Sequence, residues 1–271
     1  MSLARATRSE VTKQFSTAMW WILAIVLVLY IALMAGSIAF MLAASADGLI
    51  PGGEQLQVFG DAASLLYSFS SSLGFVFALV IGTLMVTSEF RHQTLTPTFL
   101  AVPGRGKALL AKILVGILLG GLYGLLAVAA AVVPSAGALA AFGQETGLGE
   151  LDTWAMFGRI LIALALWTLL GVGIGTLVRN QVAAVVGVIA FTQFVEPMVR
   201  LAAAYIEGAD RVAAFLPGAA SDALVGASFY NIAMPASAFE LDWWAGGIVL
   251  AVYAFVFLLL GYLFSWRRDV S

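Results

Sequence analysis

The chain has 271 residues, of which 62% are hydrophobic and only 10% charged, and its mean hydropathy is +1.02. A water-soluble domain carries about 25% charged residues, so this composition excludes a soluble globular protein and indicates a membrane protein. The chain has no cysteine, which removes disulfides and thiolate metal sites from consideration.

A membrane-crossing helix needs about 20 mostly apolar residues, whereas a β-barrel shows short segments of alternating polarity. Six runs of the first kind are present, at 20–44, 65–87, 108–133, 154–178, 182–205 and 243–266. They predict an all-α membrane protein with six transmembrane helices in a single transmembrane domain over 1–271. Ahead of the first run, residues 5–19 place Val11, Phe15 and Met19 four apart, with Arg8, Thr12 and Lys13 on other faces. This spacing predicts a short amphipathic surface helix on the inner leaflet, followed by Trp20 and Trp21 at the interface. A signal-peptide core is about 7–15 residues, so the longer first run reads as a retained helix.

Residues 88–103 interrupt the apolar pattern and contain His92, the single histidine. Glu89 suits the first turn of a helix, and Thr96 before Pro97 is a second start signal. Phe90, Leu95, Phe99 and Leu100 supply apolar contacts. The segment is predicted to be a short, bent, cytoplasmic helix, ended by a Pro103–Gly104 turn. In the third and fourth runs, Gly116, Gly120 and Gly124, and Gly171, Gly173 and Gly175, predict close helix packing. Arg159, near the outer end of the fourth run, is expected to reach toward Glu150 or Asp152.

The fifth run contains Glu196 and Arg200, four residues apart and so on one helix face. Pro197 removes the backbone hydrogen bond to the Gln193 carbonyl. The pair reads as an intramembrane ion pair at a bent helix end, with a place in a substrate or ion path as the alternative. Residues 207–242 are long and mostly small or apolar. A structureless loop of that length is improbable, so an external helical hairpin dipping into the outer leaflet is predicted, its backbone covered by protein or facing water.

With six spans, both termini lie on one side. That side holds Arg5, Arg8, Lys13, Arg91, Arg105, Lys107, Lys112, Arg179, Arg267 and Arg268, ten of the 13 basic residues, and only Glu10, Glu89 and Asp269 of the 15 acidic ones. The excess of Lys and Arg places both termini in the cytoplasm.

Enzyme chemistry needs nucleophiles, bases or metal ligands within mutual reach, and the sequence has neither HExxH nor GxSxG. The stretch around Gly106–Lys107 is not a phosphate-binding loop, because Ala101 stands where its first glycine belongs and Ala108 where Ser or Thr must follow. The chain is therefore expected to be no enzyme, to hold no metal and no cofactor of its own, and to bind no nucleic acid.

The order Glu89-Phe90-Arg91-His92, Thr94-Leu95, then "FLAVPGRGKALLAK", resembles the ABC-2 type permeases of bacterial ABC exporters. In that family an acidic–aromatic–basic patch follows the second span, and a P-x-R turn leads into the third. "FLPGAASDALVG" at 215–226, after Glu196–Pro197, is similar to the outer segment that these permeases carry between spans five and six. The likeness extends over essentially the whole chain; Gln93 stands where the family commonly has Gly. The resemblance implies a permease subunit in the bacterial cytoplasmic membrane. It would pair with a second copy or a paralogue, as a homo- or heterodimer within membrane lipid. A separate ABC ATPase subunit would bind ATP and Mg. The segment around Glu89, Phe90, Arg91, His92, Thr94, Leu95 and Phe99 would act as a coupling helix docking into that ATPase. A secondary transporter, expected to show inverted repeats, or a structural membrane subunit are the alternative readings.

Overall fold

The computed structural model describes residues 2–49, 62–101, 104–206, 208–227, 239 and 241–266. Among them there is no strand, and six helical stretches are long and apolar enough to cross a membrane. The chain is an all-α multi-pass membrane protein.

Helix α1 (Leu3–Ser16) begins at Ser2, whose hydroxyl accepts from the Arg5 N–H. The first span is α2 (Met19–Ala46) and the second α3 (Ala62–Arg91). A short helix, α4 (Leu95–Ala101), precedes the third span, α5 (Arg105–Ala141). The fourth span is α6 (Leu151–Leu177). The fifth is composite: α7 (Gln181–Ala190), a π-helical turn Phe191–Val195, and α8 (Glu196–Ala203). Two short helices follow, α9 (Ala209–Ala213) and α10 (Pro217–Val225). The last span is α11 (Trp243–Gly261), extended by a π-helical turn over Tyr262–Trp266.

The spans alternate in direction. Lys13 of α1 meets Glu89 at the end of α3, Arg91 donates to Gln181 at the start of α7 at 3.3 Å, and the Trp266 indole donates to the Arg105 carbonyl at 2.9 Å. These contacts define one end of the bundle, the α1 end. At the opposite end the Tyr67 hydroxyl donates to the Thr146 carbonyl at 2.7 Å. Six crossings thus return the chain to the end where it began.

Helix α3 is central, with 78% of its apolar window buried, against 28% for the first span, 22% for the fifth and 17% for the sixth. The poorly covered spans present apolar side chains such as Leu33, Phe194 and Phe255 outward. Small residues set the tightest contacts. A Cβ on Gly120 would lie 2.5 Å from Ala165 Cα of α6, and one on Gly124 3.0 Å from Leu161 Cα. Gly171 and Gly175 meet the α3 backbone at Leu79 and Thr83, and Gly173 meets α11 at Phe257 and Leu258. These glycines are packing sites, as their spacing indicates.

Several boundaries differ from the sequence reading. The third span does not end at Val133 but runs through Pro134 to Ala141. Pro134 removes one backbone bond, yet its ring packs beside Gly36 of α2, and the following "SAGALAA" is rich in strong helix formers. At 37 residues α5 is about 55 Å long, well beyond the roughly 30 Å hydrocarbon core. No helix starts at 87–89; those residues complete α3, and the short helix after it is only Leu95–Ala101. The fifth span departs from regular α-helix just before Pro197. The π turn just before it lets the Glu196 N–H donate to the Phe191 carbonyl, one residue further back than in an α-helix. Of the predicted external hairpin, α9 and α10 are described, whereas 228–238 lie outside the described residues.

Candidate functional site

At the α1 end, four charges on three helices close into one cluster, in which Glu10, Glu89 and Lys112 are buried and Lys13 is half-buried. Glu10 turns inward from α1 and is 4% exposed. Its Oε2 lies 2.7 Å from Lys112 Nζ, and its Oε1 lies 2.8 Å from Lys13 Nζ. Glu89, at the end of α3, sets Oε1 3.0 Å from Lys13 and 2.9 Å from Lys112. Lys13 also donates to Thr98 Oγ1 of α4 at 3.0 Å. Two carboxylates and two ammonium groups balance within the cluster, which is what burial of charge demands. Burial alone would raise the Glu10 pKa, but Lys112 and Lys13 outweigh it and hold the carboxyl below its ordinary range. Burial would likewise lower that of Lys13, but Glu89 and Glu10 outweigh it and hold the ammonium above its ordinary range.

Backbone geometry places α4 on this cluster. Helix α3 stops in a reversed turn in which the Thr94 N–H donates to the Glu89 carbonyl at 3.0 Å and the Gln93 N–H to the Phe90 carbonyl at 3.3 Å. This is the Schellman arrangement, whose pivot residue is left-handed and most often glycine. Gln93 fills it with φ +55°, which gives a physical reason for a glycine there. Helix α4 is then anchored by Leu95, 2% exposed, and by Phe99. The Phe99 ring meets Trp266 edge-on at 5.2 Å and lies 5.4 Å from the Arg105 guanidinium carbon.

The seven residues read from the sequence as a docking surface therefore divide. Arg91, His92 and Thr94 are exposed; Phe90 and Phe99 are half-buried against the core; Glu89 and Leu95 are buried. Leu100, 78% exposed, joins the outward set. Sequence reasoning gave Glu10, Lys13, Thr98, Arg105, Lys112 and Trp266 no role here. One signal was available: Lys112 stands inside an apolar run, where a charge calls for a partner.

A second polar site lies around α10. Its N-cap position is Leu216, which has no side-chain acceptor, and Pro217 opens the helix. The vacant donors at such a start are ordinarily met by a side chain at the cap. Here Glu196 of α8 meets them: its Oε1 accepts from the Gly218 N–H at 2.6 Å and the Ala219 N–H at 3.1 Å. A Cβ on Gly218 would collide with the Glu196 carboxylate, so glycine makes the room. Arg200 pairs with Asp222 of α10 at 2.9 Å. The sequence pairs Glu196 with Arg200; the structure gives each a partner on α10. Helix α10 is further held by the Trp167 indole, which donates to Ser221 Oγ at 3.0 Å and stacks beside Phe75 at 4.7 Å. Arg159 does not reach back toward Glu150 or Asp152. Its guanidinium lies 3.5 Å from the Cβ position of Gly226, the left-handed C-cap of α10.

Among the described residues no group of three or more His, Cys, Asp or Glu is placed to hold a metal. What the geometry provides is mechanical: a polar knot joining α1, α3, α4 and α5 at one end, and a short helix held by side chains of the spans at the other. No family model matches the chain, and no curated protein matches it.

Proposed function

We propose that this protein is the permease subunit of an ATP-driven exporter of the ABC-2 type, moved by a separate ATPase through α4 and the α3–α4 turn. The observation that carries the reading is the division of that segment. Its inward residues, Glu89, Leu95 and Phe99, are fixed to α1, α5 and the end of the sixth span, while Arg91, His92, Thr94 and Leu100 face outward. A push on the outward residues is thereby transmitted to the buried central span α3 and to α5. Transmission of this kind needs rigid packed elements rather than a loose loop.

In this reading the α1 end is cytoplasmic. That end exposes Arg5, Arg8, Arg91, Lys107 and Arg179, while its two described carboxylates, Glu10 and Glu89, are buried; the resulting positive surface follows the positive-inside rule. The exposed apolar faces of the first, fifth and sixth spans leave room for lipid and for a second permease copy, with cargo leaving between the two. ATP and Mg belong to the ATPase.

The test is co-purification in detergent with the ATPase subunit encoded in the adjoining gene. Arg91→Glu combined with Leu100→Asp alters only exposed side chains, where a charge is worth about 0–1 kcal/mol to stability. The variant is expected to melt like the parent yet lose both ATPase capture and permease-stimulated ATP hydrolysis. Retained capture and hydrolysis in a variant of unchanged melting temperature would overturn the assignment, as would a parent chain that stimulates no ATPase.

A further inference from the structure

The charge knot leaves the outer flank of α1 unsatisfied. Leu3, Ala4, Thr7, Arg8 and Val11 form one stripe of α1, and with Leu114 of α5 they line an open groove of about 560 Å³. Apart from Thr7 and Arg8 its walls are apolar. The Thr7 hydroxyl is already used, donating to the Leu3 carbonyl at 3.1 Å. Arg5 and Arg8 are exposed and make no ion pair with any described acidic residue. Beyond Leu114 the same face of α5 exposes Ile117, Leu118 and Leu125, at 45%, 53% and 57%. Gly121 within that stripe has open space around it. In the other direction Lys107, exposed, lies seven residues before Leu114 and so on the same helix face.

We propose that this groove binds one anionic membrane phospholipid. An acyl chain lies in the groove and along the α5 stripe, and the headgroup phosphate meets Arg8 and Arg5, with Lys107 beside them. Three features favour a lipid over a protein helix. The apolar groove borders the exposed apolar face of a span. Arg8 lines the groove, and Arg5 is exposed three residues before it on the same helix. Both carboxylates nearby are buried and neutralised within the knot, so the groove carries unbalanced positive charge. Juxtamembrane Lys and Arg attract anionic headgroups in this way, and Arg binds phosphate through its planar fork of donors. The inference rests on the membrane fold and not on the ATPase reading.

The experiment uses the full-length protein in detergent, titrated with phosphatidylglycerol or phosphatidylcholine of identical acyl chains, with bound lipid counted by native mass spectrometry. The parent should retain one phosphatidylglycerol in preference to phosphatidylcholine. Arg5→Gln with Arg8→Gln should weaken phosphatidylglycerol binding roughly 30-fold, about fivefold per cation removed, and weaken phosphatidylcholine binding less, because the choline cation offsets the phosphate charge that the arginines meet. Ala4→Trp, which fills the groove at an exposed position, should remove the site for both lipids without changing the lipid-free melting temperature. A parent with no preference between the lipids, a double variant that retains the preference, or an Ala4→Trp variant that still holds phosphatidylglycerol would each overturn the proposal. So would displacement of the lipid by inorganic phosphate, which would reduce the site to an anion site without an acyl chain.

Discussion

Lys112 is the most informative residue to remove. It is fully buried, and its ammonium group lies 2.7 Å from Glu10 and 2.9 Å from Glu89. Lys112→Met preserves most of the side-chain volume but leaves two buried carboxylates sharing the single cation Lys13, a net charge of −1 in a site built to be neutral. Removing one partner of a buried ion pair costs about 3–5 kcal/mol, and the low exposure of both carboxylates places this site within that range. Adding Glu10→Gln restores the balance, since Lys13 then faces Glu89 one to one at 3.0 Å. The two changes should therefore couple, the double variant recovering roughly 1–3 kcal/mol relative to the sum of the singles. Equilibrium unfolding in mixed micelles titrated with SDS provides the measurement, applied to the parent, both single variants and the double. The reasoning fails if Lys112→Met unfolds at the parent's midpoint, or if the double variant loses the full sum of the two single losses.

Three further predictions address the same architecture. The Glu10 carboxyl is held below its ordinary value of 4.5, so its contribution is present above about that pH and is lost as the pH falls through the lower folded value. The Lys13 ammonium is held above its ordinary 10.5, so its contribution is complete below that pH and is lost as the pH rises through the higher folded value. The melting temperature should accordingly stay level between these limits and fall on both sides, and Lys13→Met should weaken the alkaline fall. Gln93→Gly relieves a left-handed side chain at φ +55° and should raise unfolding stability by about 1 kcal/mol, whereas Gln93→Val should lower it. Glu196→Leu strands the Gly218 and Ala219 N–H groups at about 1–3 kcal/mol each, while Glu196→Gln keeps an acceptor; melting of the pair should show a clear loss for Leu and a small one for Gln.

The spans were legible because membrane-crossing helices need long apolar runs, and the glycine spacing in α5 and α6 indicated close packing for an equally local reason. Span ends were less legible. Pro134 reads as a stop, but the helix continues where α2 accommodates its ring beside Gly36. The polar knot was not legible as a unit, because Glu10 lies 102 residues from Lys112 and Lys13 lies 76 from Glu89. Helical spacing reports neighbours three and four apart and nothing at such separations. Glu89 looked like a surface group for the same reason: in sequence it stands in a polar segment, and only the fold turns it inward.

The charges within the spans follow a pattern that makes them more than isolated exceptions. A charge in an apolar run requires a counterpart, and the counterpart need not be another side chain. Lys112 is answered by carboxylates. Glu196 is answered by the N-terminus of α10, where the vacant N–H groups carry partial positive charge. A nine-residue helix is too short to be stable alone in water. Helix α10 is instead held at its N-terminus by Glu196 and along its length by the Arg200–Asp222 ion pair and the Trp167–Ser221 hydrogen bond. The sequence already contained both halves of this arrangement: a helix start at Leu216–Pro217 with no capping side chain, and a carboxylate at Glu196 inside an apolar run. Matching an uncapped helix end to a buried carboxylate links positions 22 residues apart, which helical periodicity alone does not connect.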